Sequence, residues 1–137
     1  MNDDAVLLDT GVLAALLDRN DAWHHRATIW MGAFHGRLHT VEAVLVETAF
    51  FLSARQRAQL AELAAGPTLT LHHPDAAGLS RIAQLLSKYA DQDPDWADAA
   101  LIWLAESAGI DRIATVDQRD FGVYRIQGRR KFRLELI

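Results

Sequence analysis

Five short stretches suited to extended chain, at residues 5–9, 38–40, 68–71, 112–116 and 132–137, are kept apart by long segments, most of them helical in period. No other feature restricts the fold as much. Adjacent antiparallel strands are joined by tight turns, whereas parallel neighbours need a crossover of about a dozen residues or more, usually a helix. Predicted helices fill the gaps: one following the first strand through Leu16-Leu17, then 22–35, 40–52 with Thr40 as cap, 55–65 stopped by Gly66-Pro67, 75–89 capped by Asp75, and 95–108 capped by Asp95 and closed by Gly109. Asp91-Gln92-Asp93-Pro94 reads as a loop, because proline restrains the residue before it. The expected fold is α/β: one three-layer α/β/α domain over residues 1–137 with a mostly parallel five-stranded sheet.

Composition narrows the function classes. With 137 residues, half of them hydrophobic, the chain can bury a core without covalent staples. It has no cysteine, which removes disulfides, thiolate zinc sites and thiol catalysis. No apolar run reaches the length of a membrane span, and the acidic start Met1-Asn2-Asp3-Asp4 is unlike a secretory signal, so a cytoplasmic location and no membrane partner are expected. Residues 1–111 hold seven basic and fifteen acidic side chains, a net of −8, whereas 112–137 hold seven basic and three acidic, a net of +4. An acidic whole argues against a coat for nucleic acid, while the basic tail allows a local phosphate-binding surface.

Four carboxylates stand where a charge is costly. Asp9 ends the run Val6-Leu7-Leu8 and Asp117 ends Ile113-Ala114-Thr115-Val116, which places both at the carboxyl edge of a parallel sheet, where ligands bind. Each also suits a cap for whatever helix or turn follows. Glu47 has Ala43, Val44, Phe50 and Phe51 three or four residues away, in a helix that is apolar almost all round. Ionised and alone there, it would cost several kcal/mol, so it must be neutral, paired with an arginine or bound to a cation. Asp98 shares a stripe with Leu101, Ile102 and Ala105, although its place in the first turn also suits a backbone contact. Glu42, by contrast, sits where the helix dipole accommodates a negative charge without further role. Converging acids without cationic partners call for a divalent metal, and an oxygen-only set favours Mg²⁺ or Mn²⁺.

These residues occur in an order that resembles the PIN domain family, and within it the VapC-like ribonucleases of toxin–antitoxin systems. The resemblance rests on Leu-Leu-Asp9-Thr10-Gly11, Thr40 followed by Glu47, Trp96-Ala97-Asp98-Ala99-Ala100 and Ala114-Thr115-Val116-Asp117-Gln118-Arg119-Asp120-Phe121, and extends to the closing Gly-Arg-Arg-Lys-Phe-Arg-Leu. It implies a parallel sheet with an acidic site at its carboxyl edge. Asp9, Glu47, Asp98 and Asp117 would be the metal-binding and catalytic acids, supported by Thr10, Thr115 and Asp120. The segment 91–96 departs from the family in being more acidic and bulkier than its usual approach to the third acid.

The resemblance implies Mg²⁺- or Mn²⁺-dependent hydrolysis of RNA phosphodiesters to 5′-phosphate and 3′-hydroxyl ends, a homodimer, and a cognate antitoxin. The apolar helices near 22–34 and 50–63 are candidate partner faces. Arg119, Arg125, Arg129 and Arg130 are candidate contacts for RNA phosphates. Rival readings are a catalytically silent PIN-like module that binds RNA or protein, and a solitary nuclease without an antitoxin. Phosphatase and receiver chemistries lack their second acid or their lysine at the required places. The pairs His24-His25 and His72-His73 show no ligand spacing and read as surface or satisfied histidines. Of the four tryptophans, Trp96 near Asp98 is the candidate for substrate contact, the others reading chiefly as core.

Overall fold

A computed structural model describes residues 4–136. The extended start is β1 (Ala5–Leu8), all four of its residues buried. It leads into α1 (Thr10–Leu17) and α2 (His24–Ala33). Then come β2 (Arg37–Val41), α3 (Glu42–Ala49), α4 (Ala54–Ala65), β3 (Leu69–His72) and α5 (Ala76–Lys88). The second half holds α6 (Trp96–Ala108), β4 (Arg112–Ala114), α7 (Gln118–Val123), a small hairpin of β5 (Arg125–Ile126) and β6 (Arg130–Lys131), and β7 (Arg133–Glu135).

The main sheet has the order β3-β2-β1-β4-β7, and every neighbouring pair is parallel. Helices cover both of its faces, giving the three-layer α/β/α fold expected from the sequence. Central β1 is buried because it has a strand on each side and helices above and below. Each fully buried Val or Leu of this kind contributes ~1.5–3 kcal/mol through burial. The chain first adds strands on one side of β1, then returns to lay β4 on the other. A crevice therefore opens beyond the carboxyl ends of β1 and β4, where the direction of strand addition reverses.

Local chemistry sets the helix boundaries around this crevice. Asp9 caps α1, its carboxylate accepting from Thr10 N at 2.7 Å. Asp95 caps α6 by accepting from Asp98 N at 2.8 Å, and Gly109, at φ 68°, closes that helix in the left-handed conformation. Asp117 caps α7 through Asp120 N at 3.0 Å. Gly11 lets α1 run close under the strand β4 exit, since a Cβ there would lie 2.5 Å from Val116 Cγ2.

Several expectations need correction. Thr40 belongs to β2 and caps nothing; its hydroxyl donates to Leu8 O at 2.8 Å, fastening β2 to the end of β1, and the residue before α3 is Val41. Helix α3 stops at Ala49 rather than 52, because the chain turns at Phe50-Phe51. The strand expected over 112–116 ends at Ala114; Thr115 N still donates to Glu135 O at 3.0 Å while its side chain serves the crevice. The expected closing strand is reduced to β7, while residue 137 and the acidic start at residues 1–3 lie outside the described residues. Helix α7 and the β5–β6 hairpin were not expected. Among the described residues no helix is long and apolar enough to cross a membrane.

Candidate metal-binding site at the sheet edge

The carboxyl ends of β1 and β4 and the starts of α1, α6 and α7 enclose a cleft of about 330 Å³. Asp9, Glu47, Asp98 and Asp117 all line it, although they lie on four different segments. Thr10 and Asp120 line it too. Folding therefore brings together the acids that the sequence singles out. The three helix starts direct backbone N–H groups toward this region, which favours negative charge there.

Hydrogen bonds hold the acids in fixed orientations. Both oxygens of buried Asp9 are engaged: Oδ1 accepts from Thr10 N at 2.7 Å, and Oδ2 accepts from Thr115 Oγ1 at 2.9 Å. The Thr115 hydroxyl in turn accepts from Asp117 N at 2.8 Å, so one side chain positions two of the acids. Asp98 Oδ2 accepts from the hydroxyl of fully buried Tyr124 at 3.1 Å.

Crowding of like charges in a partly dry cleft raises the acids' proton affinity. Burial pushes Asp9 up to about 6, against the opposing hydrogen bonds from Thr10 and Thr115. Glu47 is pushed up to about 7, by burial first and then by the Asp95 carboxyl, which is close enough to share a proton with it. Asp98 is pushed up to about 8 by burial, then by repulsion from Asp95 and Asp9. Asp120 is also raised, by burial and by Asp117. Among the described residues Glu47 has no arginine partner, so that structural explanation of a buried glutamate does not apply.

The side chains share one cleft without forming a closed cage. Among the described residues, no three His, Asp or Glu side chains stand close enough together to hold a metal ion as placed. The donor set nevertheless suits a hard divalent cation: it is all oxygen, burial and then neighbouring carboxylates raise its acids, and Thr10 Oγ1 is buried at its wall without a geometric hydrogen-bond partner.

Sequence reasoning missed three acids and an aromatic. Asp21, Asp93 and Asp95 also line the cleft, and Asp95 raises Asp9, Glu47, Asp98 and Asp120 alike. Local patterning explains Asp95 as a helix cap alone; it caps α6 and also bears electrostatically on the cleft acids. The unusually acidic run before Asp98 was its signal. Tyr124 carried none.

The tail arginines have several partners. Arg125 donates to the carbonyls of Gly122, Val123 and Tyr124, closing the end of α7. Arg130 and Arg133 both pair with Asp111, and Arg112 pairs with Glu135. Arg129 is exposed on the hairpin, and Arg119 bears on a cleft acid, favouring the charged form of Asp120. Outside the cleft, His24 Nδ1 lies 2.6 Å from Ala15 O and His39 Nδ1 lies 2.8 Å from His72 Nε2, while the buried Nε2 of His39 has no hydrogen-bond partner.

A parallel five-stranded sheet between two helix layers, with a carboxylate-lined cleft at its switch point, defines an α/β domain with an acidic site at the carboxyl edge of its sheet. Residues 6–126 match the PIN domain family, and the chain belongs to it. It is 29% identical over 132 residues to "Ribonuclease VapC26" of Mycobacterium tuberculosis, a match that covers 93% of this chain and 97% of that protein. Its fold resembles the crystal structure of VapC20 of the same organism, described as a sarcin-ricin loop cleaving toxin. The TM-score is 0.78 at 20% identity, over 83% of this chain and 91% of that one. The VapC-like character expected from the sequence is thus borne out.

Proposed function

We propose that this chain is a divalent-metal-dependent ribonuclease that hydrolyses RNA phosphodiester bonds, and that it is the toxin of a toxin–antitoxin pair. The observation that carries the reading is the meeting of Asp9, Glu47, Asp98 and Asp117 in one cleft, with the first three raised above ordinary carboxylates. Full-length similarity to a protein named as a VapC ribonuclease supports the substrate class. These four residues would hold Mg²⁺ or Mn²⁺. When bound, such an ion supplies Lewis acidity, which acidifies water and offsets phosphate charge. Thr115 orients Asp9 and the start of α7, and Tyr124 orients Asp98, so the protein's own contribution is to fix carboxylates that would otherwise spread apart.

Asp9→Asn and Asp98→Asn should each abolish Mn²⁺-dependent cleavage of RNA while leaving the circular dichroism spectrum unchanged. Full activity in either folded variant overturns the assignment. The antitoxin part of the reading draws on the groove between α1, α2 and α4, of about 670 Å³, in which Leu16, Leu17 and Met31 offer apolar side chains to a partner helix. Growth arrest on expression, relieved by a co-expressed partner that copurifies, is its test. A homodimer belongs to the same proposal and is read from sedimentation of the purified chain.

A further inference from the structure

Asp98 takes its orientation from the Tyr124 hydroxyl, and Tyr124 in turn depends on the chain that follows it. Residues 124–127 leave α7 and enter the β5–β6 turn against α6 and the end of α5. Each of them is fastened. Tyr124 donates to Asp98 Oδ2, Arg125 N donates to the Tyr89 hydroxyl at 3.0 Å, the Ile126 side chain is buried, and Gln127 N donates to Glu106 Oε2 at 2.7 Å. Asp98 and Glu106 both stand on α6, roughly two turns apart, so one helix holds the segment at its two ends.

Glu106 is built as an anchor. Its side chain is only 10% exposed, and Arg81 grips both carboxylate oxygens, Nε on Oε1 at 2.8 Å and Nη2 on Oε2 at 2.9 Å. Burial opposes the charge, but the guanidinium and the Gln127 amide hold Glu106 below its ordinary carboxylate pKa. A charged acceptor fixed by a two-pronged arginine binds a backbone N–H more strongly than a neutral one. The turn needs that strength: Gln127 sits at φ 53°, a left-handed angle that residues other than glycine disfavour, so its own preference would open the turn. Glu106 does not line the cleft, and its influence there can only be indirect.

Resting on the reading of Asp98 as a metal-binding acid, we propose that Glu106 is a positioning residue for the metal site: gripped by Arg81, it holds Gln127 and with it the segment 124–127, which keeps the Tyr124 hydroxyl on Asp98. A carboxylate outside the cleft thereby helps set the cleft's affinity for a divalent cation.

The test uses the full chain and Mn²⁺ alone, titrated by calorimetry at neutral pH where circular dichroism shows each variant folded. Glu106→Ala should weaken the Mn²⁺ Kd at least about threefold, less than the loss of the direct partner Tyr124. Made in Tyr124→Phe, where the hydroxyl is already gone, the same substitution should change Kd by less than about 1.5-fold. A merely structural role would lower Tm in both backgrounds and move Kd in neither. Glu106→Gln, which keeps an oxygen for Gln127 N, should stay within about twofold of wild type. If Glu106→Ala does not fold, Arg81→Ala, which leaves the carboxylate free to swing, carries the same comparison. Unchanged Kd in the folded variants, or an equal loss in both backgrounds, overturns the positioning role and leaves the metal site standing. A glutamine variant as impaired as the alanine one does the same. Mn²⁺ binding that is absent in wild type, or unaffected by Asp98→Asn, overturns the metal reading and the proposal together.

Discussion

Removing one hydroxyl, by Tyr124→Phe, tests whether Asp98 is held for metal binding. Tyr124 is fully buried, with its ring edge-on to Tyr89 and Phe121 at centroid distances of 5.0 and 5.2 Å, so phenylalanine should occupy the same space. Burial and the nearby Asp98 carboxyl push the phenol above its ordinary pKa, which keeps it a donor at every working pH. The substitution deletes the 3.1 Å bond to Asp98 Oδ2, and with it an influence that lowers the Asp98 pKa. Two effects then weaken metal binding together: a looser carboxylate, and stronger competition from the proton. Loss of such an outer-shell partner typically costs about 10–100-fold in metal affinity. The cost to the metal-free fold should be smaller, about 1 kcal/mol, since the ring keeps its packing and no buried group is added. Calorimetric titration with Mn²⁺ at neutral pH should therefore show at least a tenfold weaker Kd, beside a drop of only a few degrees in the Tm measured in chelator. Mn²⁺ affinity within about twofold of wild type would refute the reasoning, because Asp98 would then either not bind the metal or not depend on Tyr124.

Two further predictions follow from the electrostatics of the cleft. Asp9, Glu47 and Asp98 have folded-state values near 6, 7 and 8, above their ordinary values of 3.8, 4.5 and 3.8, so their preference for the folded chain is complete below about pH 4 and is lost as pH rises through 6 to 8. The Tm in chelator should fall across that interval and recover at its upper end when Mn²⁺ is added; a flat profile would count against the crowding of these acids. Asp95 separates capping from charge: Asp95→Asn keeps an acceptor for Asp98 N and removes the repulsion, so in chelator near pH 8 it should melt above wild type, whereas Asp95→Ala also loses about 1 kcal/mol of capping. Equal Tm values for the two variants would mean that Asp95 acts in only one of these ways.

The sheet was legible because long crossovers and apolar runs leave few alternatives to parallel strands. The same physics explains the errors at element ends. Thr40 has the side chain of a helix cap, but its hydroxyl finds Leu8 O across the sheet, a long-range partner that local patterning does not reveal. Helix α7 is only six residues long and contains Gly122, too little periodic signal to separate it from a loop. The β5–β6 turn places Gln127 and Gly128 at φ 53° and 73°, the pair of positive angles that a tight hairpin needs, yet glutamine is not among the residues that announce one.

The site divides along a similar line. Asp9, Glu47, Asp98 and Asp117 could be found because each is a charge at a position where charge is expensive, and that cost can be read from immediate neighbours. Asp95 escaped because a cap explains it fully, and a residue with one sufficient local role gives no sign of a second. Tyr124 and the commitments of the arginines escaped for a different reason. Whether Arg130 meets a phosphate or Asp111 is settled by contacts between segments nineteen residues apart in sequence. A count of positive charge in the tail therefore overstates what is left for RNA. Once Arg112, Arg130 and Arg133 are paired with Asp111 and Glu135, fewer of the tail's seven basic residues, chiefly Arg119, Arg129 and Lys131, are left to meet a polyanion. RNA binding should then depend more weakly on monovalent salt than the seven basic residues of the tail suggest. A slope of log K against log salt near the value for seven phosphate contacts would show that the arginines leave their carboxylates for the substrate.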